Sequence, residues 1–288
     1  MHPTLMMMTA MLGATPDLPT LYLDRPGGRV AYDDTGNDGP AVLCVPGMGD
    51  VRAQFRHLRP KLVAAGFRVV TMDLRGMGGS TVGWDDYSAA AVGTDVMALV
   101  EKLGLREVSL VGNSYGAAAV VYAAAEMPDQ VRSVVFIGGP FVAVDPMPLW
   151  QRLMINAMLQ PPWGPFAWGQ YYRTLYPSSA PRDHDAHVAR VVSNLREPGR
   201  MGALRAMMDA PATEWQARVP RVKARVHVVM GTRDPDFKDP TAHARKVAQL
   251  MPGEVQLVPG AGHYPHAEVV DVTAPGIIAF LRGESGRS

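Results

Sequence analysis

A single cysteine occurs in the 288 residues, so no internal disulfide can form, nothing calls for an oxidising compartment, and zinc sites built from several thiolates are excluded. An excess of charge of one sign is also missing. Lys and Arg number 28 against 27 Asp and Glu, and so balanced a chain has no broad field to draw it to nucleic acid or anionic lipid. Nucleotide signatures are absent, because "GMGGS" and "GNSYG" do not make GxGxxG and no GK[ST] follows a glycine-rich loop. The methionine-rich start, "MHPTLMMMTAMLGATP", is too short to span a bilayer and lacks the Lys or Arg of a signal-peptide n-region. Residues 1–19 are therefore read as a tail and the chain is expected to be cytoplasmic, with no membrane span. These exclusions leave a small molecule as the expected partner, without cofactor or metal. Oligomeric state stays open.

What is present is core material and rhythm. Hydrophobic residues make up 47% of the chain, ample for one large domain. "LYLDRPGGRVAYDDTG" reads as two strands around Pro26-Gly27-Gly28. "AVLCV", "RVVTM", "VSLVGN", "SVVFI", "RVHVV" and "EVQLV" then alternate with helical patterns, including Phe55 to Ala65 ended by Gly66, Ser88 to Leu103 ended by Gly104, and Ala117 to Glu126. Strands separated by helices predict an α/β fold with a mainly parallel eight-stranded sheet. Cys44 falls inside an apolar strand and reads as a buried structural thiol.

Between Pro140 and about Pro220 the strand rhythm stops, and Met, Trp, Tyr and Pro take over. We expect a helical cap at 141–219, inserted after the sixth strand of a core formed by 20–140 and 220–288. An adaptable apolar surface of this composition suits a ligand. Trp150, Met154, Met158, Trp163, Trp168 and Tyr172 are its candidate pocket residues, as a group. His184 and His187, in "DHDAH", have the spacing of two metal ligands but no third ligand cluster, and read instead as a solvated first helical turn.

Chemistry enters at "VGNSYGAAA". Ser114 lies between Gly112 and Gly116, where a strand meets a helix, and this strand, Gly-x-Ser-x-Gly, helix pattern is the nucleophile elbow. The reversal is so tight that side chains two positions either side of the serine would strike backbone. A serine hydroxyl needs a base, and the base an orienting acid. "VVMGTRDPDF" and "VPGAGHYPHAE" supply Asp234 and His263 just beyond successive strands, giving the order Ser, Asp, His. Asp236 and Asp145 are alternative acids. His266, placed at the mouth of the site, is the alternative histidine.

With these motifs in order over residues 20 to 282, the chain resembles the α/β-hydrolase superfamily, in its capped serine esterase, lipase and haloperoxidase-like branch. The resemblance extends to "VPGMGD", similar to the loop after the family's third strand, and to "DLRGMGGS", similar to the turn after its fourth. It implies an oxyanion hole formed by the backbone N–H groups of Met48 and Tyr115. It also implies hydrolysis of a small to medium, largely apolar ester through a Ser114, His263, Asp234 acyl-enzyme mechanism. Many relatives carry His-Gly where this chain has Pro46-Gly47, so the loop must be braced without that imidazole. Haloalkane dehalogenases and epoxide hydrolases place aspartate at the elbow, and the serine here disfavours their alkyl-enzyme chemistry. A carbon-carbon bond hydrolase, a lactonase, a thioesterase, a perhydrolase or a non-turnover receptor on the same fold remains open.

Overall fold

A computed structural model describes residues 18–142 and 148–284. Its first two strands, β1 (Leu21–Arg25) and β2 (Gly28–Asp34), form the expected hairpin, closed by Gly27 at φ +92°. The next six are β3 (Ala41–Val45), β4 (Arg68–Met72), β5 (Val108–Asn113), β6 (Val131–Ile137), β7 (Arg225–Gly231) and β8 (Gly253–Val258). They join the hairpin in one sheet of order β1-β2-β4-β3-β5-β6-β7-β8. β2 pairs antiparallel with both β1 and β4, and every other pairing is parallel.

Strand periodicity sorts the core into two layers. Val42, Cys44 and Val111 face one side with Leu58, Leu62, Ile277 and Phe280, while Leu43, Val45 and Leu110 face the other with Val96, Leu99, Val120 and Val247. The second side is covered by α2 (Ala89–Lys102), α3 (Tyr115–Glu126) and α9 (Pro240–Leu250); the first by α1 (Leu58–Ala64) and α11 (Val270–Arg282). Truncating a fully buried side chain such as Leu110 in either layer costs about 2–5 kcal/mol. Cys44 is fully buried, and desolvation pushes its thiol far up.

Helix ends follow local chemistry with small shifts from the sequence reading. Ser88 is not the first helical residue but the N-cap of α2, its hydroxyl accepting from Ala91 N–H. The helix expected from Phe55 to Ala65 is split into a 3-10 turn, Arg52–Arg56, and α1. Gly66, at φ +92°, ends it as expected.

Between β6 and β7 the described elements are helical: α4 (Leu149–Met158), α5 (Gly164–Thr174), α6 (His184–Arg196), α7 (Arg200–Asp209) and the short α8 (Thr213–Gln216). The short α10 (Pro265–Glu268) follows β8.

The loop after β3 leads through α1 outward to β4, whereas the loop after β5 leads through α3 to β6 on the other side. Neighbouring strands whose connections diverge leave a crevice at their carboxyl ends, where ligands of open α/β sheets bind. Here Val45 pairs with Gly112, so Pro46-Gly47-Met48 faces Asn113-Ser114-Tyr115 across that crevice.

Candidate active site

Ser114 occupies φ +52°, ψ −115°, a conformation that a non-glycine residue adopts only when its surroundings impose it. The flanking glycines show how. A Cβ on Gly112 would lie 2.6 Å from Ala117 Cα and from Gly116 O, and one on Gly116 would lie 2.3 Å from Val45 O. Neither position has room for a methyl group. Ser114 N–H donates to Ile137 O (2.9 Å), and Ala117 N–H donates to Ser114 O (3.0 Å), pinning the turn from both sides.

His263 lies beyond β8 and Asp234 beyond β7. The imidazole Nδ1 is 2.7 Å from Asp234 Oδ2 and 3.7 Å from Asp236 Oδ2, so Asp234 is the hydrogen-bonded acid and Asp236 a nearby charge. Asp236 is held in place by its own N–H on Asp234 Oδ1 and by Tyr171, whose hydroxyl donates to it at 2.6 Å. Asp145 lies outside the described residues. Burial lowers the His263 pKa, but the two carboxylates outweigh it and carry the imidazole up to about 9. His266 is not at a mouth. It is fully buried against Phe55 and Gln54, because α10 turns it inward, and burial drives it down to about 3.

Asn113 joins the end of β5 to the loop that carries His263. Its side-chain amide donates to Ile137 O (3.0 Å) and to His263 O (3.3 Å), which ties the residue before Ser114 to the His263 backbone at the sheet edge. The sequence reading overlooked it, and overlooked Gln54, which supplies the brace that Pro46 cannot. Gln54 Oε1 accepts from Gly47 N–H (3.0 Å), and its amide donates to Asn113 Oδ1 (2.7 Å). Asp50 N–H donates to Gly47 O (3.3 Å), closing a turn around Met48. Among the described residues neither Met48 N–H nor Tyr115 N–H donates to a protein acceptor.

The insertion packs on this edge through α5 and the chain after it. Trp168 lies against Gly49, and the Tyr172 hydroxyl donates to Asp50 Oδ2 (2.7 Å). His263 N–H donates to Leu175 O (3.0 Å), and Tyr264 stacks on both Tyr172 and Tyr176. Glu268 ties the same region together, accepting from Gly262 N–H and from Ser178 N–H. The six candidate pocket residues therefore divide. Trp168 and Tyr172 are buried at the sheet edge, whereas Trp150, Met154, Met158 and Trp163 are 67, 48, 50 and 56% exposed, on or next to α4. His184 and His187 are not solvated. α6 turns both inward, and His187 Nε2 sits 2.9 Å from Asp50 Oδ1.

Against this geometry, the pattern of the α/β hydrolase fold family matches residues 40–165, the span that holds the loop after β3 and the Ser114 elbow. The chain has the α/β-hydrolase fold. An uncharacterized protein of Mycobacterium tuberculosis is 27% identical to this chain, over 86% of this chain and 76% of the relative. The bifunctional epoxide hydrolase 2 of Sus scrofa is 32% identical, but the match covers only 43% of the chain and 22% of that enzyme. The crystal structure of bromoperoxidase from Bacillus anthracis superposes with a TM-score of 0.79 at 20% identity, over 92% of this chain and all of the other. No helix among the described residues is long and apolar enough to cross a membrane.

Asp234, Asp236 and His263 are also a trio of donors close enough to share a cation, within 4.8 Å. Asp234 Oδ2 and His263 Nδ1 are turned on each other at 2.7 Å, so holding an ion with them would break that hydrogen bond. A cavity of about 590 Å³ is lined by Arg52, Arg56, Arg59, Asp33, Arg190 and Asn194 among others. It contains none of the three residues Ser114, Asp234 and His263.

Proposed function

We propose that this protein is a serine hydrolase that cleaves a small to medium, largely apolar carboxylic ester by an acyl-enzyme mechanism. One observation carries the reading: a strained elbow serine follows Asn113, whose amide holds the backbone of a histidine, and that histidine's Nδ1 lies 2.7 Å from a buried aspartate. Ser114 Oγ attacks the ester carbonyl while His263 Nε2 takes its proton, and Asp234 orients the ring and stabilises the imidazolium. The carbonyl oxygen, now negative, is received by Met48 N–H and Tyr115 N–H, the latter at the positive end of α3. His263 returns the proton to the alcohol as the carbon-oxygen bond breaks, leaving acyl-Ser114. It then activates a water that releases the acid by the same steps reversed. Each oxyanion donor contributes about 3 kcal/mol to the transition state.

The insertion helices serve as the cap, with Trp168 beside the oxyanion loop and the apolar face of α4 as the surface the acyl or alcohol group meets. Epoxide opening, which the partial match to an epoxide hydrolase brings to mind, needs a carboxylate nucleophile, and Ser114 cannot supply one. A fluorophosphonate probe tests the proposal without a chosen substrate. Labelling of the wild type at the Ser114 peptide, lost in Ser114→Ala and His263→Ala, is expected. A wild type that stays unlabelled at high probe concentration would turn the reading toward a non-turnover receptor.

A further inference from the structure

Asp50 is a fully buried carboxylate two residues beyond Met48, and its role is not spent within its own loop. Oδ1 accepts from Val51 N–H (2.7 Å) and meets His187 Nε2 of α6 at 2.9 Å, while Oδ2 accepts from the Tyr172 hydroxyl of α5 at 2.7 Å. Burial opposes its charge, but the His187 ring, the Tyr172 hydroxyl and Val51 N–H outweigh burial and hold the carboxyl below its usual range. Trp168, one turn before Tyr172 on α5, covers Gly49, which sits at φ +68° with Trp168 ring atoms 2.6 Å from where a Cβ would be. The Gly47 to Asp50 turn is thus clamped at one end by Gln54 of the core and at the other by two insertion helices.

We propose that Asp50 is a positioning residue through which the seating of α5 and α6 sets the Met48 N–H, so that the oxyanion hole is complete only when the cap is docked. The catalytic part of this inference rests on the serine-hydrolase reading; the clamp itself does not. It follows that the cap contributes to turnover and not to substrate affinity alone, because a displaced N–H costs transition-state stabilisation while apolar contacts to the substrate persist.

The test uses the full chain with Tyr172→Phe, His187→Leu and the double variant, which remove the insertion's hold and leave Asp50 in place. Hydrogen exchange of the 46–53 peptide is read by mass spectrometry, and kcat and KM are measured on p-nitrophenyl butyrate. The double variant should exchange that peptide several-fold faster, with β5 and α3 unchanged, and should lose roughly tenfold to hundredfold in kcat with KM within about twofold. Asp50→Asn, which keeps the shape but weakens the acceptor, should fall between wild type and the double variant. Unchanged exchange in a folded double variant overturns the clamp, whether or not the wild type proves to be a hydrolase. Faster exchange with unchanged kcat overturns the link to the oxyanion hole. An unlabelled wild type, by contrast, defeats the hydrolase reading while the exchange arm still decides the clamp.

Discussion

Gly116 and Val45 approach so closely that a methyl group on the glycine would stand 2.3 Å from the Val45 carbonyl oxygen, well inside van der Waals contact. The atom in the way is backbone at the end of a central strand, so it cannot swing aside as a flexible side chain would. Gly116→Ala should therefore push α3 off β3, costing about 1–3 kcal/mol or more. Thermal unfolding should show the loss as a drop of several degrees, and probe labelling of Ser114 should fall with it. A variant as stable and as reactive as wild type would mean that the elbow has slack the geometry denies.

Gln54 bridges the loop after β3 and the end of β5. Gln54→Ala leaves Gly47 N–H and the Asn113 side chain short of a buried partner, at a cost of about 1–3 kcal/mol. Urea unfolding measures this directly.

The pH dependence follows from the histidine. In the proposed mechanism His263 must be neutral to accept the serine proton, and Asp234 and Asp236 raise its pKa from the ordinary 6.5 to about 9. Burial alone would push it the other way. The ascending limb of kcat/KM should therefore lie above pH 6.5, within the window up to about 9, with activity rising as the proton leaves. Asp236→Asn removes one of the two carboxylates and should move that limb to lower pH. A limb that stays put or moves upward would show that Asp236 does not act on the imidazole.

Asp95 on α2 tests the fold away from the site. Its side chain is wholly buried and binds both Arg75 (2.6 Å) and Arg25 (2.9 Å). Asp95→Ala strands two guanidinium groups, one nearly buried, and should destabilise the chain by about 3–5 kcal/mol in chemical denaturation. Catalysis by the fraction that remains folded should be little changed.

The sequence by itself determined whatever depends on local periodicity and on residues whose chemistry is tied to one conformation. Apolar runs of strand length separated by helical patterns specify the parallel sheet, because each run must bury both faces. Gly112 and Gly116 specify the elbow, since only residues without a Cβ fit the turn. Tertiary structure alone decided the contacts between residues far apart in the chain. The choice of Asp234 over Asp236 as the hydrogen-bonded acid is a matter of 1.0 Å, the difference between 2.7 and 3.7 Å, set by how two loops meet. His266 and His187 look like surface histidines in a polar stretch, yet helix rotation turns both inward. Gln54 carries no motif, Asn113 and Asp50 are not the residues their motifs single out, and the partners of the three are up to 212 residues away, as for Gln54 and His266. Hydrogen bonds of that range are fixed by the packing of whole elements, a sum over many buried contacts that no short window of sequence contains.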